Sequence, residues 1–277
     1  MAASDYFRAA TQVLEDLGIN SPEDIDIEAI AFHCGAVIKY RPLSGCAARI
    51  VGNGHQAIIT IDSNSARGRQ RFSAGHELGH WMYDRGKASF ACDERRFVQD
   101  WSKNNPESRA NRYASDLLLP VHVFKPLSSN LKAITLTAAG ELATRFQMSL
   151  TATAIRLVEH GPLPSMLICN SVAEREWFFR NTDLSKRLFP VTISGPDTYA
   201  HDLLHGSEES SAEGDVQASA WFEHELAENF LVHEHSIRTS YGDVLSMLWW
   251  KDERMLIAID EHEERQAARR SDDRWRE

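Results

Sequence analysis

The stretch "SNSARGRQRFSAGHELGHWMYD", residues 63–84, constrains this chain more than any other. It reads as one long helix, capped by Ser63, Asn64 or Ser65, with Phe72, Leu78 and Trp81 to bury against a core. Residues four apart on an α-helix lie one turn apart on the same face. His76 and His80 therefore offer two imidazoles to one ion, and Glu77 beside the first can reach a water held there. This is the H-E-x-x-H pattern of zinc peptidases. Zinc bound by three protein groups keeps a fourth position for water and lowers its pKa to roughly 7. A glutamate takes the proton as hydroxide attacks a peptide carbonyl, then returns it to the leaving amine. His76 and His80 are thus candidate ligands and Glu77 the candidate general base.

A third ligand must come from elsewhere. The long metzincin pattern requires Gly at 83 and His at 86, where this chain has Tyr83 and Gly86. Downstream candidates are Asp84, Asp93, Glu94, Glu107 and Asp116. Glu107 is the best placed: it opens a second helix, "PESRANRYASDLLLP", which an antiparallel packing would bring beside the first. Asn111, one turn on, is a candidate to brace a ligand. A first-turn glutamate is also favoured by the helix dipole alone, so spacing leaves both readings of Glu107 open.

Cys92 follows His80 by twelve residues, in the link between the two helices. A thiolate binds zinc tightly and would fill the water position, which makes Cys92 a candidate inhibitory fourth ligand, a cysteine switch. The competing readings are a small apolar loop residue or a redox-sensitive thiol. Cys34, Cys46 and Cys169 form no C-x-x-C pair with it or with each other, so no zinc knuckle or redox dithiol is indicated.

A chain of 277 residues suits one large domain or two ordinary ones. The N-terminus has no apolar run behind Asp5 and Arg8, and nothing approaches the length of a bilayer span, so a cytoplasmic protein without a membrane role is expected. Helices are expected over "SDYFRAATQVLEDLGI" and, from a Ser21 cap and Pro22, over "SPEDIDIEAIAFHCG". Short strands are expected at "AVIKYR", "ARIVG" and "AIITID". From Thr135 to Gly161 two short helices flank a turn near Met148–Ser149, resembling a helix-turn-helix, a pattern also common in plain helical packing. After "GPLPS" the texture changes to β-like runs, "MLICN", "EWFFRN" and "DVLSMLWWKDERMLIAID", around an acidic middle, with a charged helical or frayed tail. The divisions expected are 1–125, 126–162 and 163–277.

The net charge of −10 argues against wholesale nucleic-acid wrapping. Residues 64–112, however, carry ten Lys or Arg against six Asp or Glu, whereas 197–235 hold ten acids and no Lys or Arg. A basic surface beside the site can meet an anionic partner.

"ITID…RQRFSAGHELGHWMYD" followed by "ESRANRYASDLLLP" resembles the ImmA/IrrE family of metallopeptidases, in which a β-hairpin and an H-E-x-x-H helix precede E-x-x-A-N-x-[FY]-A-x-x-L-L-x-P. The second motif falls on Glu107, Ala110, Asn111, Tyr113, Ala114, Leu117, Leu118 and Pro120. The likeness spans roughly residues 20–160, and two long motifs in the right order are specific. It implies an α+β, zincin-like peptidase domain of helices and a small antiparallel sheet, with a helix-turn-helix-like segment after it. It implies gluzincin-like zinc binding by His76, His80 and Glu107, with Glu77 as base. The family's members cut XRE-type helix-turn-helix repressors, switching on genes after DNA damage, in mobile-element induction or in phage defence. One branch adds a C-terminal GAF-like sensor, so an α+β GAF/PAS-like domain is the expectation for 163–277, and single-stranded DNA is the first candidate for an activator. The other readings are a DNA-binding regulator with structural zinc and a non-catalytic antitoxin or scaffold; the intact Glu77 and the acidic net charge disfavour the regulator.

Overall fold

The computed structural model describes residues 7–53, 55–84, 90–91, 105–186 and 188–274. The chain forms two compact units: Met1–Leu127 with Glu141–Thr153, and Ser128–Gly140 with Ala154–Glu277.

In the first unit, α1 (Ala10–Asp16) stops at Gly18, whose φ of +67° is open to glycine at little cost. The next expected helix is broken in two. Ser21 and Asp24 form a capping box on a 3-10 turn, Pro22–Asp24. Asp26 then caps α2 (Ile27–His33), its Oδ1 accepting from the Glu28 and Ala29 amides at 2.9 and 3.1 Å. Two capping carboxylates two residues apart start two helices rather than one.

Strands β1 (Ala36–Arg41), β2 (Ala48–Gly52), β3 (Ala57–Asp62) and β4 (Phe90–Ala91) form a sheet of order β1-β3-β2-β4. The sheet is mixed, not antiparallel as expected. β2 and β3 form the hairpin, and β1 takes the remaining edge of β3 and meets it in parallel. Helix α3 (Arg67–Asp84) packs on the sheet through Trp81. A Cβ on Gly52 would come within 2.5 Å of the Trp81 ring, so bare strand backbone lies against the indole. The indole N–H donates to the Cys34 carbonyl at 2.9 Å, fixing the helix to the start of the sheet. Helix α4 (Pro106–Leu118) is opened by an Asn105 cap and Pro106 and ends before Pro120. Helix α5 (Val121–Ser128) follows. Phe124 of α5 packs on Phe146 at 5.6 Å between rings.

Helices α6 (Leu136–Phe146) and α7 (Leu150–His160) are the pair expected around Met148–Ser149. Gln147 makes the turn at φ +54°. The division between the two units passes through both helices.

The second unit holds β5 (Ser165–Asn170), β6 (Arg175–Arg180), β7 (Ser211–Gln217), β8 (Leu231–Arg238) and β9 (Val244–Trp249). They make an antiparallel sheet of order β6-β5-β9-β8-β7. Its core includes Met166, Ile168, Val232 and Leu248 of the strands with Trp221, Phe222 and Trp250. The expected β-run "MLIAID" instead opens α9 (Arg254–Arg274), because Met255 and Ile259, one turn apart, both enter this core. Buried Glu234 accepts from the Trp221 indole at 2.8 Å, and from the Ala200 amide at 2.7 Å in the first turn of α8 (Tyr199–Leu204). Among the described residues no helix is long and apolar enough to cross a membrane.

Candidate metal centre

The site is made by the close approach of α3 and α4, and small residues allow it. A Cβ on Gly79 would stand 2.9 Å from the Ala110 Cα and 3.1 Å from its carbonyl oxygen. One on Gly75 would stand 3.2 Å from the Ala114 Cβ. Gly75 and Gly79 are one turn apart on α3, as Ala110 and Ala114 are on α4, so each helix presents a smooth stripe to the other. The two glycines cost helix propensity of about 1 kcal/mol each relative to alanine, which the packing they permit must offset. Tyr113, Leu117 and Leu118 bury beside the stripe.

That approach lays the first turn of α4 over the His76–His80 face. The His76 and His80 Nε2 atoms are 3.0 Å apart. His76 Nε2 lies 3.2 Å from one Glu107 oxygen, and His80 Nε2 lies 3.5 Å from the other. A tetrahedral zinc with bonds of about 2.0–2.1 Å has ligand–ligand edges of about 3.3 Å, so the spacing and the donor types fit the ion. The histidines are buried, and the Glu107 side chain is 35% exposed, leaving the site open on the α4 side. Glu107 is fixed by its position in α4, where the Asn105 side chain accepts from its amide at 3.1 Å. Hydrogen bonding to His76, then to His80, holds its carboxyl far below the usual range, so it is an anion ready to coordinate.

Asn111 Oδ1 stands 2.8 Å from His76 Nδ1. A carbonyl oxygen can only accept, so Nδ1 carries a hydrogen, and a metal that displaced the Glu107 hydrogen bond would find the Nε2 lone pair turned to the site. Glu77 is fully buried beside His76. Among the described residues, His76, His80 and Glu107 are the one group of three ligating side chains within 4.8 Å of one another. Asp116 is not in it. The Asp84 side chain, Cys92, Asp93 and Glu94 lie outside the described residues. Sequence reading passed over Gly75 and Gly79, although glycine twice at helical spacing inside a helix signals close approach of a neighbour.

Residues 28–158 match the family model of the IrrE N-terminal-like domain, peptidase family M78. This supports the ImmA/IrrE family for that stretch and implies peptidase activity of a typically metal-dependent kind. No curated protein matches the chain. Among solved structures it is similar to a Mycobacterium tuberculosis transcriptional regulator, with a TM-score of 0.58 and 13% identity. That alignment covers 86% of this chain and 73% of the other. At that identity the likeness concerns the fold.

Proposed function

We propose that this chain is a cytoplasmic zinc endopeptidase that cuts an XRE-type helix-turn-helix repressor and so derepresses stress, DNA-damage or phage-defence genes. The observation that carries the reading is the convergence of His76, His80 and Glu107 from two helices, with Glu77 buried beside them. Zinc held by these three groups would supply a Lewis acid for a peptide carbonyl and for water. Glu77 takes the proton of the attacking water and returns it to the leaving nitrogen as the C–N bond breaks and the C–O bond forms. Asn111 keeps His76 in the ligating tautomer. Cys92 would supply a removable fourth ligand to that ion. Residues 1–125 form the peptidase domain, 126–162 a helix-turn-helix-like segment and 163–277 a GAF-like sensor. Single-stranded DNA is the proposed activator, acting through the basic stretch 64–112, so activation should weaken as salt rises.

The test is cleavage of a purified XRE-type repressor alongside metal analysis. Glu77→Gln should retain zinc and lose cleavage, and Glu107→Ala should lose zinc. Cys92→Ser should raise basal cleavage. A Glu77→Gln protein cutting at the wild-type rate would refute the peptidase reading. A second reading, a zinc-containing DNA-binding regulator, is favoured by the helix pair α6–α7 and by the fold likeness to a transcriptional regulator. Operator binding by the Glu77→Gln protein, with no cleavage by wild type, would select it.

A further inference from the structure

We infer that the outer face of the N-terminal sheet is a docking surface for an acidic, aliphatic segment of a partner protein. On β2 the side of Gly52 faces Trp81 of α3, so by alternation Arg49 and Val51 face away from the helix. Strand register places Val37, Ile58 and Val51 in one row across β1, β3 and β2 on that outer face. These three are 45%, 44% and 59% exposed, and Phe32 at the end of α2 is 74% exposed beside them. Together they line an open groove of about 540 Å³ with Lys39 and Gln56. An exposed aliphatic row across three strands is unusual for a surface that meets only water.

The next row along the strands is Lys39, Thr60 and Arg49, and the one after pairs Arg41 with Asp62. The side chains of Lys39, Arg41 and Arg49 form no ion pair or hydrogen bond among the described residues. Asp62, an anion across from Arg41, makes no ion pair with them. One of its oxygens accepts from the Leu43 and Asn64 amides and the other from Ser65. Lys39 and Arg49, with no ion-pair partner among the described residues, therefore stand beside an apolar row, with Arg41 and the anionic Asp62 one row further on, on a chain whose net charge is −10. A matching occupant brings carboxylates to the cations and aliphatic side chains to the row. Rows two residues apart are separated by about 7 Å, the same-face repeat of an extended chain, so an aliphatic residue at i with acids at i+2 and i+4 fits in register. Nucleic acid fits less well, because Phe32 is the groove's one stacking surface.

This inference goes beyond the peptidase reading, since binding here requires neither metal nor Glu77. The probe is a fluorescein-labelled twelve-residue peptide built around Leu-Ser-Glu-Ser-Glu, titrated by anisotropy with the full chain. It should bind, and binding should weaken as salt rises. Lys39→Glu with Arg49→Glu should weaken it about tenfold or more, as expected for losing charge complementarity. Val51→Ser, an exposed change that leaves the fold intact, should weaken it independently. Glu77→Gln should bind like wild type, so a failed cleavage assay leaves this result standing. No binding, equal affinity for a Leu-Ser-Lys-Ser-Lys counterpart, or indifference to both surface variants would overturn the inference. A (dT)20 strand that binds in place of the peptide, and is lost on charge reversal, would overturn it in favour of nucleic acid.

Discussion

Replacing Gly79 by alanine tests whether the α3–α4 approach sets the metal centre. The new Cβ would lie 2.9 Å from the Ala110 Cα and 3.1 Å from both the Ala110 carbonyl oxygen and the Tyr113 Cβ. None of these atoms can rotate away. Carbon atoms settle at about 3.5–4.0 Å, so α4 must retreat by about 0.6 Å at this level. Overpacking of this kind costs about 1–3 kcal/mol, and the gain in helix propensity returns about 1 kcal/mol, so the net loss of stability is about 0–2 kcal/mol. The larger effect falls on the metal. Gly79 immediately precedes His80, and Ala110 lies one turn after Glu107. The 3.2 and 3.5 Å contacts from Glu107 to the histidines, now close to the edge of about 3.3 Å that zinc requires, widen by a similar amount to well beyond it. Zinc affinity should fall by about tenfold or more, the scale seen when a group that positions a ligand is lost. Competition against a chromophoric chelator measures the affinity, and thermal unfolding of the metal-free protein measures the fold. Gly75→Ala is the comparison, because its Cβ meets Ala114 and Leu118 side-chain atoms at 3.2 Å, and Leu118 can turn. Wild-type zinc affinity in Gly79→Ala, with an unchanged melting temperature, would refute the reasoning.

Asn111→Ala should keep the fold and lower zinc affinity by about 10–100-fold, because His76 Nδ1 loses the acceptor that fixes its tautomer; equal affinities by the same competition assay would deny Asn111 that role. In the second unit, burial raises the Glu234 carboxyl above its ordinary value of 4.5 despite hydrogen bonds from Ser236 and Trp221. A raised folded-state value means that its contribution to stability is full below the unfolded value and is lost as pH rises through the folded one. Chemical unfolding at about pH 5 and pH 8 should therefore show wild type losing more stability than Glu234→Gln over that rise, and parallel losses would contradict the assignment.

The first unit was legible where local signals agree. Asn105, Pro106 and Pro120 bracket α4, and the alternating runs at 36–41, 48–52 and 57–62 became β1, β2 and β3. What the sequence hid was pairing. Nothing local tells β1 that β2 has turned back onto β3, so the parallel edge emerges only when the strands assemble. In the second unit, β7 and β8 lay unseen in the acidic stretch for a different reason. One face of β7 carries Glu213 and Asp215, which meet His233 across the pair at 3.0 and 2.6 Å. The other carries Ala212, Gly214 and Val216, kept small where Tyr199 packs against Gly214. A strand whose polar face pairs with its neighbour, and whose opposite face is nearly bare, has almost no hydrophobic alternation to read.

The metal centre shows the same division between local and long-range signals within a single site. His76, Glu77 and His80 are neighbours on one turn, and the helix alone sets their spacing. Glu107 is thirty-one residues from His76, and its place depends on how close two helices can come. That distance is written in absent side chains: Gly75 and Gly79 on α3, Ala110 and Ala114 on α4. On α3 the glycines alternate with the ligands, as Gly75, His76, Gly79 and His80. On α4 Glu107, Ala110, Asn111 and Ala114 fall at successive steps of three, one and three residues, which is one helical stripe. Packing residues and ligating residues therefore share the same two stripes. A change that fills the gap between the helices must also move the carboxylate, and the close packing of the helix pair is itself what makes Glu107 a third ligand.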